Sequence, residues 1–312
     1  MKRLLLMLCL LFTTGCGLST SDDGPGVLQT SASSPNSSAT SESSKGDPIV
    51  GATPVLDDAV VVVLATGEVT ALRPDGSRGQ RFGVLPPGAG MSVDVSPDRR
   101  TVLVSDVTSQ EGTCDARVLM AQPGGTWRTV LSGAAGARFS ADGSQVAYKR
   151  YALVGEYCSQ VDLVVQQVST GTRRIVALPG GSELVSNPPQ FPINWSPDGK
   201  RLAFAHAGAV QVVDVATLTT TSIGAHTDAT ATRGTFAPVF TARGELAVLT
   251  GCCVAPMTID TVDQRNGART TLFAVTAPVR SISRDHRQGG ILWLTLEEAG
   301  LFRWDGERLA GV

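Results

Sequence analysis

The stretch Asn194-Trp195-Ser196-Pro197-Asp198-Gly199-Lys200-Arg201-Leu202-Ala203-Phe204 decides the fold. It reads as the end of one strand, a tight turn and the start of a second strand. Pro fixes φ in the turn, Asp supplies a local acceptor and Gly supplies positive φ. Leu202-Ala203-Phe204 then opens an apolar strand. Weaker copies stand at 137–148 ("ARFSADGSQVAY") and 93–104 ("VDVSPDRRTVLV"), and degenerate ones at 239–248 and 281–285. A first copy at 55–62 lacks the Pro-Asp-Gly turn but keeps the strand after it. Behind the best copy come a third strand over 209–215 and a more polar fourth over 219–223. Each unit therefore predicts four antiparallel strands.

The turn positions 57, 98, 142, 198, 243 and 285 are spaced 41, 44, 56, 45 and 42 residues apart. A four-stranded propeller blade occupies about 40–50 residues. Six such units fill residues 49–312. A single blade cannot bury both faces, so the units must close on one another. The fold predicted is all-β, a six-bladed β-propeller of four-stranded antiparallel blades. Ile49 begins the first inner strand, and Trp304-Asp305-Gly306 reads as the turn before the last strand. The ring is expected to close by apposition, without a strand borrowed from the other terminus.

These motifs resemble the Trp-Ser-Pro-Asp-Gly-Lys (WD-like) repeat of TolB-type propellers, most closely at 194–204. The resemblance covers most of residues 49–312 and implies a fold; propellers host many unrelated tasks, so it implies no activity. TolB-type proteins carry an α/β domain before the propeller. Here that place is taken by a different kind of segment, so their partner contacts are not transferred.

That segment has two parts. Residues 1–15 begin with Lys2-Arg3, continue through the nine apolar residues 4–12 and end in Thr13-Thr14-Gly15 before Cys16. The apolar core is too short to span a bilayer, which takes about 20 helical residues, and the arrangement is that of a secretory signal peptide. Thr14-Gly15-Cys16 resembles the cleavage site of bacterial lipoproteins, with Thr13 where that family usually has Leu. The resemblance implies lipidation of Cys16 with palmitate-type chains and anchoring at the extracytoplasmic face of the cell membrane. Residues 16–48 are rich in Ser, Thr, Gly and Pro, too poor in apolar side chains to fold, and read as a flexible linker.

The net charge of −2 and the absence of a basic stripe give no nucleic-acid footprint. No Gly-x-Ser-x-Gly elbow, phosphate-cradling glycine loop or His-Glu-x-x-His helix occurs. His206 closes the second strand of its blade, His226 falls in the next connection with Asp228 close by, and His286 falls in a turn on the opposite face. Solvated loop histidines are the reading, against a metal or acid/base pair formed by His206 and His226 on one face; no metal, no cofactor and no catalytic residue is assigned. Among inner-strand residues only a few ionise, Asp94 and Arg280 among them.

Loops that join second to third strands, and blades to each other, share one face. They are the longer ones: "SDVTSQEGTC", "KRYALVGEYC", "GGSELVSNPPQFPIN" and "TGCCVAPM". Binding residues concentrate on such loops. The candidate binding face is Tyr151, Glu156, Tyr157, Asn187, Gln190 and His226. The reading is a monomeric, membrane-anchored propeller that binds an envelope protein or a glycan through this face. The alternative is a hydrolase or lyase with its site in the central funnel.

Four cysteines remain after Cys9 leaves with the signal and Cys16 takes the lipid: Cys114, Cys158, Cys252 and Cys253. Cys114 lies 16 residues after Asp98 and Cys158 lies 16 after Asp142, so both begin the third strands of adjacent blades. This register favours a Cys114–Cys158 disulfide, with Cys252 and Cys253 as a vicinal pair or as two free thiols. Packed sheets lie about 10 Å apart and a disulfide needs Cα atoms within about 6.8 Å, so the two loops are expected to lean together.

Overall fold

The computed structural model describes residues 49–54, 60–73, 75–86, 92–110, 112–184, 193–206, 209–223, 235–241, 243–250, 257–276, 279–284, 292–296, 300–304 and 309–311. The first sheet holds β1 (Ile49–Pro54), β2 (Val60–Leu64), β3 (Glu68–Leu72) and β4 (Arg78–Val84). The second holds β5 (Ser92–Val95), β6 (Val102–Gln110), β7 (Thr113–Ala121) and β8 (Arg128–Ser132). The third holds β9 (Ala134–Phe139), β10 (Gln145–Val154), β11 (Tyr157–Gln167), β12 (Arg173–Val176) and β13 (Glu183–Leu184). The fourth holds β14 (Asn194–Trp195), β15 (Arg201–His206), β16 (Ala209–Asp214) and β17 (Thr220–Ile223). The fifth holds β18 (Thr235–Phe240), β19 (Leu246–Thr250), β20 (Met257–Val262) and β21 (Arg269–Val275). The last holds β22 (Val279–Arg284), β23 (Leu292–Leu296), β24 (Gly300–Trp304) and β25 (Leu309–Gly311).

Every described pairing is antiparallel between chain neighbours, apart from β13, which returns to pair with β11. Five sheets are regular four-stranded propeller blades and the third is five-stranded. This corrects the expectation of six uniform blades. The departure falls where the turn spacing reaches 56 residues. The excess lengthens β10 and β11 to 10 and 11 residues and supplies β13 along the part of β11 that β12 leaves open.

Strand alternation gives each sheet two apolar faces, and each face closes a seam. Val61, Val63 and Phe82 of the first sheet meet Val93, Val95, Val102 and Val104 of the second. Leu103 and Val118 meet Ala137, Tyr148 and Val164. Leu163 and Val165 meet Trp195, Leu202 and Phe204. Val210 and Val212 meet Phe240, Leu246 and Val248, and Leu249 and Ile259 meet Ile282 and Trp304. Leu301 of the last sheet is buried among Val60, Val62 and Leu64 of the first. β1 packs on β22 and β23, and the first and last sheets share no strand among the described residues.

The repeat turns have one construction. Ser96, Ser140 and Ser196 Oγ donate to Asp98, Asp142 and Asp198 Oδ1 at 2.5, 2.6 and 2.6 Å. The same oxygens of the three aspartates accept the backbone N–H two residues on, at 3.1, 3.0 and 3.1 Å. Each serine Oγ also accepts the N–H that opens the next strand: Thr101 at 3.0 Å, Gln145 at 3.0 Å and Arg201 at 2.8 Å. Gly143 and Gly199 take φ of 72° and 68°, the left-handed conformation these turns require.

Candidate functional site

Polar residues of the inner strands come first, because the enzyme alternative rests on them. Asp94 on β5 is buried; its Oδ2 accepts the Phe139 N–H at 2.7 Å and its Oδ1 lies 3.3 Å from Arg138 Nη1 on β9. Arg138 also donates to the carbonyl of Val93. Burial pushes the Asp94 carboxyl above its ordinary value, opposed by the Arg138 guanidinium beside it, and burial also lowers Arg138. The Trp195 indole N–H donates to the Arg138 carbonyl at 3.0 Å, and Asn194 Nδ2 donates to the Pro238 carbonyl at 2.6 Å. Asp94, Arg138 and Asn194 each stand two residues before the serine of their repeat turn. From that position they tie successive inner strands together. Asp94 is thereby committed to holding blades. For Arg280, only the backbone, in β22, is described.

The histidine expectation changes as well. His206 is buried at the end of β15, not solvated. Its Nε2 lies 3.1 Å from the Pro179 carbonyl, which can only accept, so Nε2 carries the proton. Beside it Lys149, also buried, donates from Nζ to the Ala205 carbonyl at 3.4 Å and lies 5.9 Å from the Phe204 ring centroid. Lys149 thus crosses the seam between the third and fourth sheets. No group of three or more metal-ligating side chains occurs among the described residues.

The face with the longer connections is built differently from the expected loops. "SDVTSQ" and "KRYALV" continue β6 and β10 as strands, so that two long hairpins, β6–β7 and β10–β11, stand side by side. Cys114 and Cys158 join them, with Cα atoms 4.8 Å apart. Beside this bond the Gly112 N–H donates to the Glu156 carbonyl at 3.0 Å. The hairpins lean together as the register required, since β7 and β11 begin one residue before their cysteines.

Tyr151 is not a surface residue. It lies on β10, packed with Val107, Ala116, Ala135 and Cys158 in the seam between the two hairpins. A bulge between Arg150 and Tyr151 turns it into that seam. Glu156 and Tyr157 are exposed at the tip of the β10–β11 hairpin. Leu153 and Val154 are exposed there as well, an adjacent apolar pair that the reading of this connection as a polar loop did not single out. Asn187, Gln190, His226, His286, Cys16, Cys252 and Cys253 lie outside the described residues.

Stacked four-stranded sheets around shared seams, with Ser-x-Asp turns on one face and long connections on the other, define a β-propeller. The solved structures that match include propellers of the TolB type. TolB from Acinetobacter baumannii is 16% identical, with a TM-score of 0.53 over 78% of this chain and 58% of that one. A protein of unknown function from Bacteroides thetaiotaomicron is 12% identical, with a TM-score of 0.59 over 82% of this chain and 68% of that one. A TolB-type protein from Agrobacterium tumefaciens is 15% identical, with a TM-score of 0.53 over 74% of this chain and 82% of that one. At such identities the likeness shows the fold alone. This chain spans 58% of the length of the Acinetobacter protein. No protein-family model matches the chain, and no curated protein does.

Proposed function

We propose that this protein is an extracytoplasmic lipoprotein whose propeller, a closed ring of six sheets, binds an envelope protein or a glycan through the face that carries the long hairpins. The observation that carries the reading is the pair of hairpins joined by Cys114–Cys158. A cross-link of this kind removes freedom from two otherwise separate projections, so a partner meets a preorganised surface and binding costs less ordering. The sulfur bond also fits an oxidising compartment. Thr14-Gly15-Cys16 after a short apolar run supports the anchor, and the following Ser/Thr/Gly/Pro segment supports a leash. The six apolar seams support closure with the third sheet as one blade.

The test is chemical cross-linking in intact cells, followed by capture of the full-length protein from membranes. Asn187→Ala, Gln190→Ala and His226→Ala combined should abolish a discrete cross-linked partner band, whereas Arg100→Ala on the opposite face should leave it. Loss with Arg100→Ala and retention with the triple variant would place binding on the wrong face. In parallel, Cys16→Ala should leave the protein unprocessed or release it from the membrane.

A further inference from the structure

We propose that the tip of the β10–β11 hairpin rests in the headgroup layer of the membrane that holds the protein, an inference that depends on the anchoring by Cys16 proposed above. Among the described residues, six large hydrophobic side chains are exposed, and three of them crowd this one turn: Leu153 at 47%, Val154 at 45% and Tyr157 at 59%. Leu153 stands opposite Cys158 and Val154 opposite Tyr157. Neighbouring cross-strand pairs point to opposite sides of a hairpin. Val154 and Tyr157 therefore share one side of the tip, while Leu153 stands on the other, the side that Cys158 turns toward the β6–β7 hairpin. All three stay exposed at the outermost turn, the part of the hairpin that would meet a lipid interface end-on.

The position of the leash selects the same occupant. Ile49, where the described chain enters the first sheet, pairs with Leu64 at the end of β2. The β2–β3 turn and the β10–β11 turn are both connections from second to third strands, so they lie on one face of the ring. Residues 17–48 separate Ile49 from Cys16; if they form the leash proposed above, a Ser/Thr/Gly-rich linker of that length has a root-mean-square span of roughly 30 Å. A bilayer holding Cys16 thus lies within reach of the face that bears the tip. The Cys158 bond one residue from Tyr157 and the Gly112–Glu156 hydrogen bond fix the tip in advance. Tyr suits the interface, with its ring among lipid and its hydroxyl in water. Glu156 sets the depth, because a carboxylate is tolerated near the interface and costly at the bilayer midplane. Its charge also makes zwitterionic lipid a better surface than anionic lipid.

The experiment uses the full lipid-anchored protein reconstituted into phosphatidylethanolamine–phosphatidylcholine vesicles whose chains are brominated close to the carbonyl end. Val154→Trp and Ile175→Trp report the tip and an exposed apolar position on outer strand β12, after subtraction of the native tryptophan signal. Quenching should be at least about twice as strong at 154, as for a side chain within the ~5–10 Å boundary layer. Since Tyr148 and Tyr151 are buried, nitration of the unsubstituted protein reads Tyr157 and needs no altered chain. The reaction should slow on vesicles, and less so when phosphatidylglycerol replaces phosphatidylcholine. Protein that floats with the vesicles but shows equal quenching and unprotected Tyr157 overturns the proposal and leaves the anchor standing. Protein that does not float overturns both.

Discussion

Residue by residue, the repeat turn is the most stringent part of this chain, and the copy that breaks the pattern tests it. Arg99 occupies the left-handed position with φ of 63°, where the parallel turns have Gly143 and Gly199. An L-residue there costs about 1–2 kcal/mol, offset in part by the greater chain entropy that glycine loses on folding. Arg99→Gly should therefore stabilise the protein by about 0.5–1 kcal/mol in a denaturant titration. A loss of stability would mean that the arginine side chain, not the backbone, governs this turn. The aspartates of the turns add a pH dependence. Hydrogen bonds from Ser96, Ser140 and Ser196, then from the backbone two residues on, hold Asp98, Asp142 and Asp198 below the ordinary carboxylate value. Because the folded values lie below the unfolded ones, this contribution is whole above about pH 3.9 and drains away as pH falls through the folded values. Asp142→Asn should thus lower Tm at pH 7 and make progressively less difference below pH 4. A Tm gap that persists unchanged at the lowest pH at which the protein stays folded would assign the effect to turn geometry and not to charge.

At the scale of elements, β14 is the shortest inner strand, two residues long, yet it anchors its seam. Trp195 is buried against Leu163, Val165, Leu202 and Phe204, and its indole N–H reaches Arg138 across the seam. Trp195→Ala should cost about 3–5 kcal/mol, as for other buried aromatics; a midpoint-derived change under about 1 kcal/mol would show that the neighbouring sheets do not depend on it. The same element shows what was legible in the sequence. Pro-Asp-Gly and Ser-x-Asp act within five residues, so their chemistry is visible in a local window, and strand order and the Cys114–Cys158 register followed from them. The long hairpins were not legible. "SDVTSQ" and "KRYALV" look like loop because they carry Ser105, Asp106 and Lys149, which are nevertheless buried. What allows that burial is distant: Ser105 Oγ accepts the N–H of Ala137, 32 residues on, and Lys149 reaches Ala205, 56 residues on. Asp106 finds Arg117 across its own hairpin at 3.5 Å. Alternation alone cannot tell a polar side chain that will be satisfied across a seam from one that faces water. Tyr151 was misplaced for the same reason, since a bulge that no local residue announces decides which way it points.

For the whole molecule the question is whether the seam between last and first sheets carries load like the others, for a ring and an open stack differ there. In a stack whose units touch only their neighbours, the terminal faces stay wet and stability is a sum of local terms. Here Leu301, at 3% exposure, sits among Val60, Val62 and Leu64, contributed by sheets at opposite ends of the chain. Leu246 is buried in an interior seam with Val210, Val212 and Phe240, and serves as the reference. Truncating a buried leucine costs about 2–5 kcal/mol, depending on how far the site collapses. Leu301→Ala should therefore fall in the same range as Leu246→Ala when both are measured by denaturant midpoint with unchanged slope. The slope matters, because a seam that opens in the folded state lowers the surface newly exposed on unfolding and so lowers m. A Leu301→Ala cost under about 1 kcal/mol beside a full cost for Leu246→Ala would mean that the first and last sheets meet without closing. An equal cost, with one transition for both variants, is what a ring shut by apposed faces requires, since among the described residues no strand is exchanged and side-chain burial must hold the two ends together.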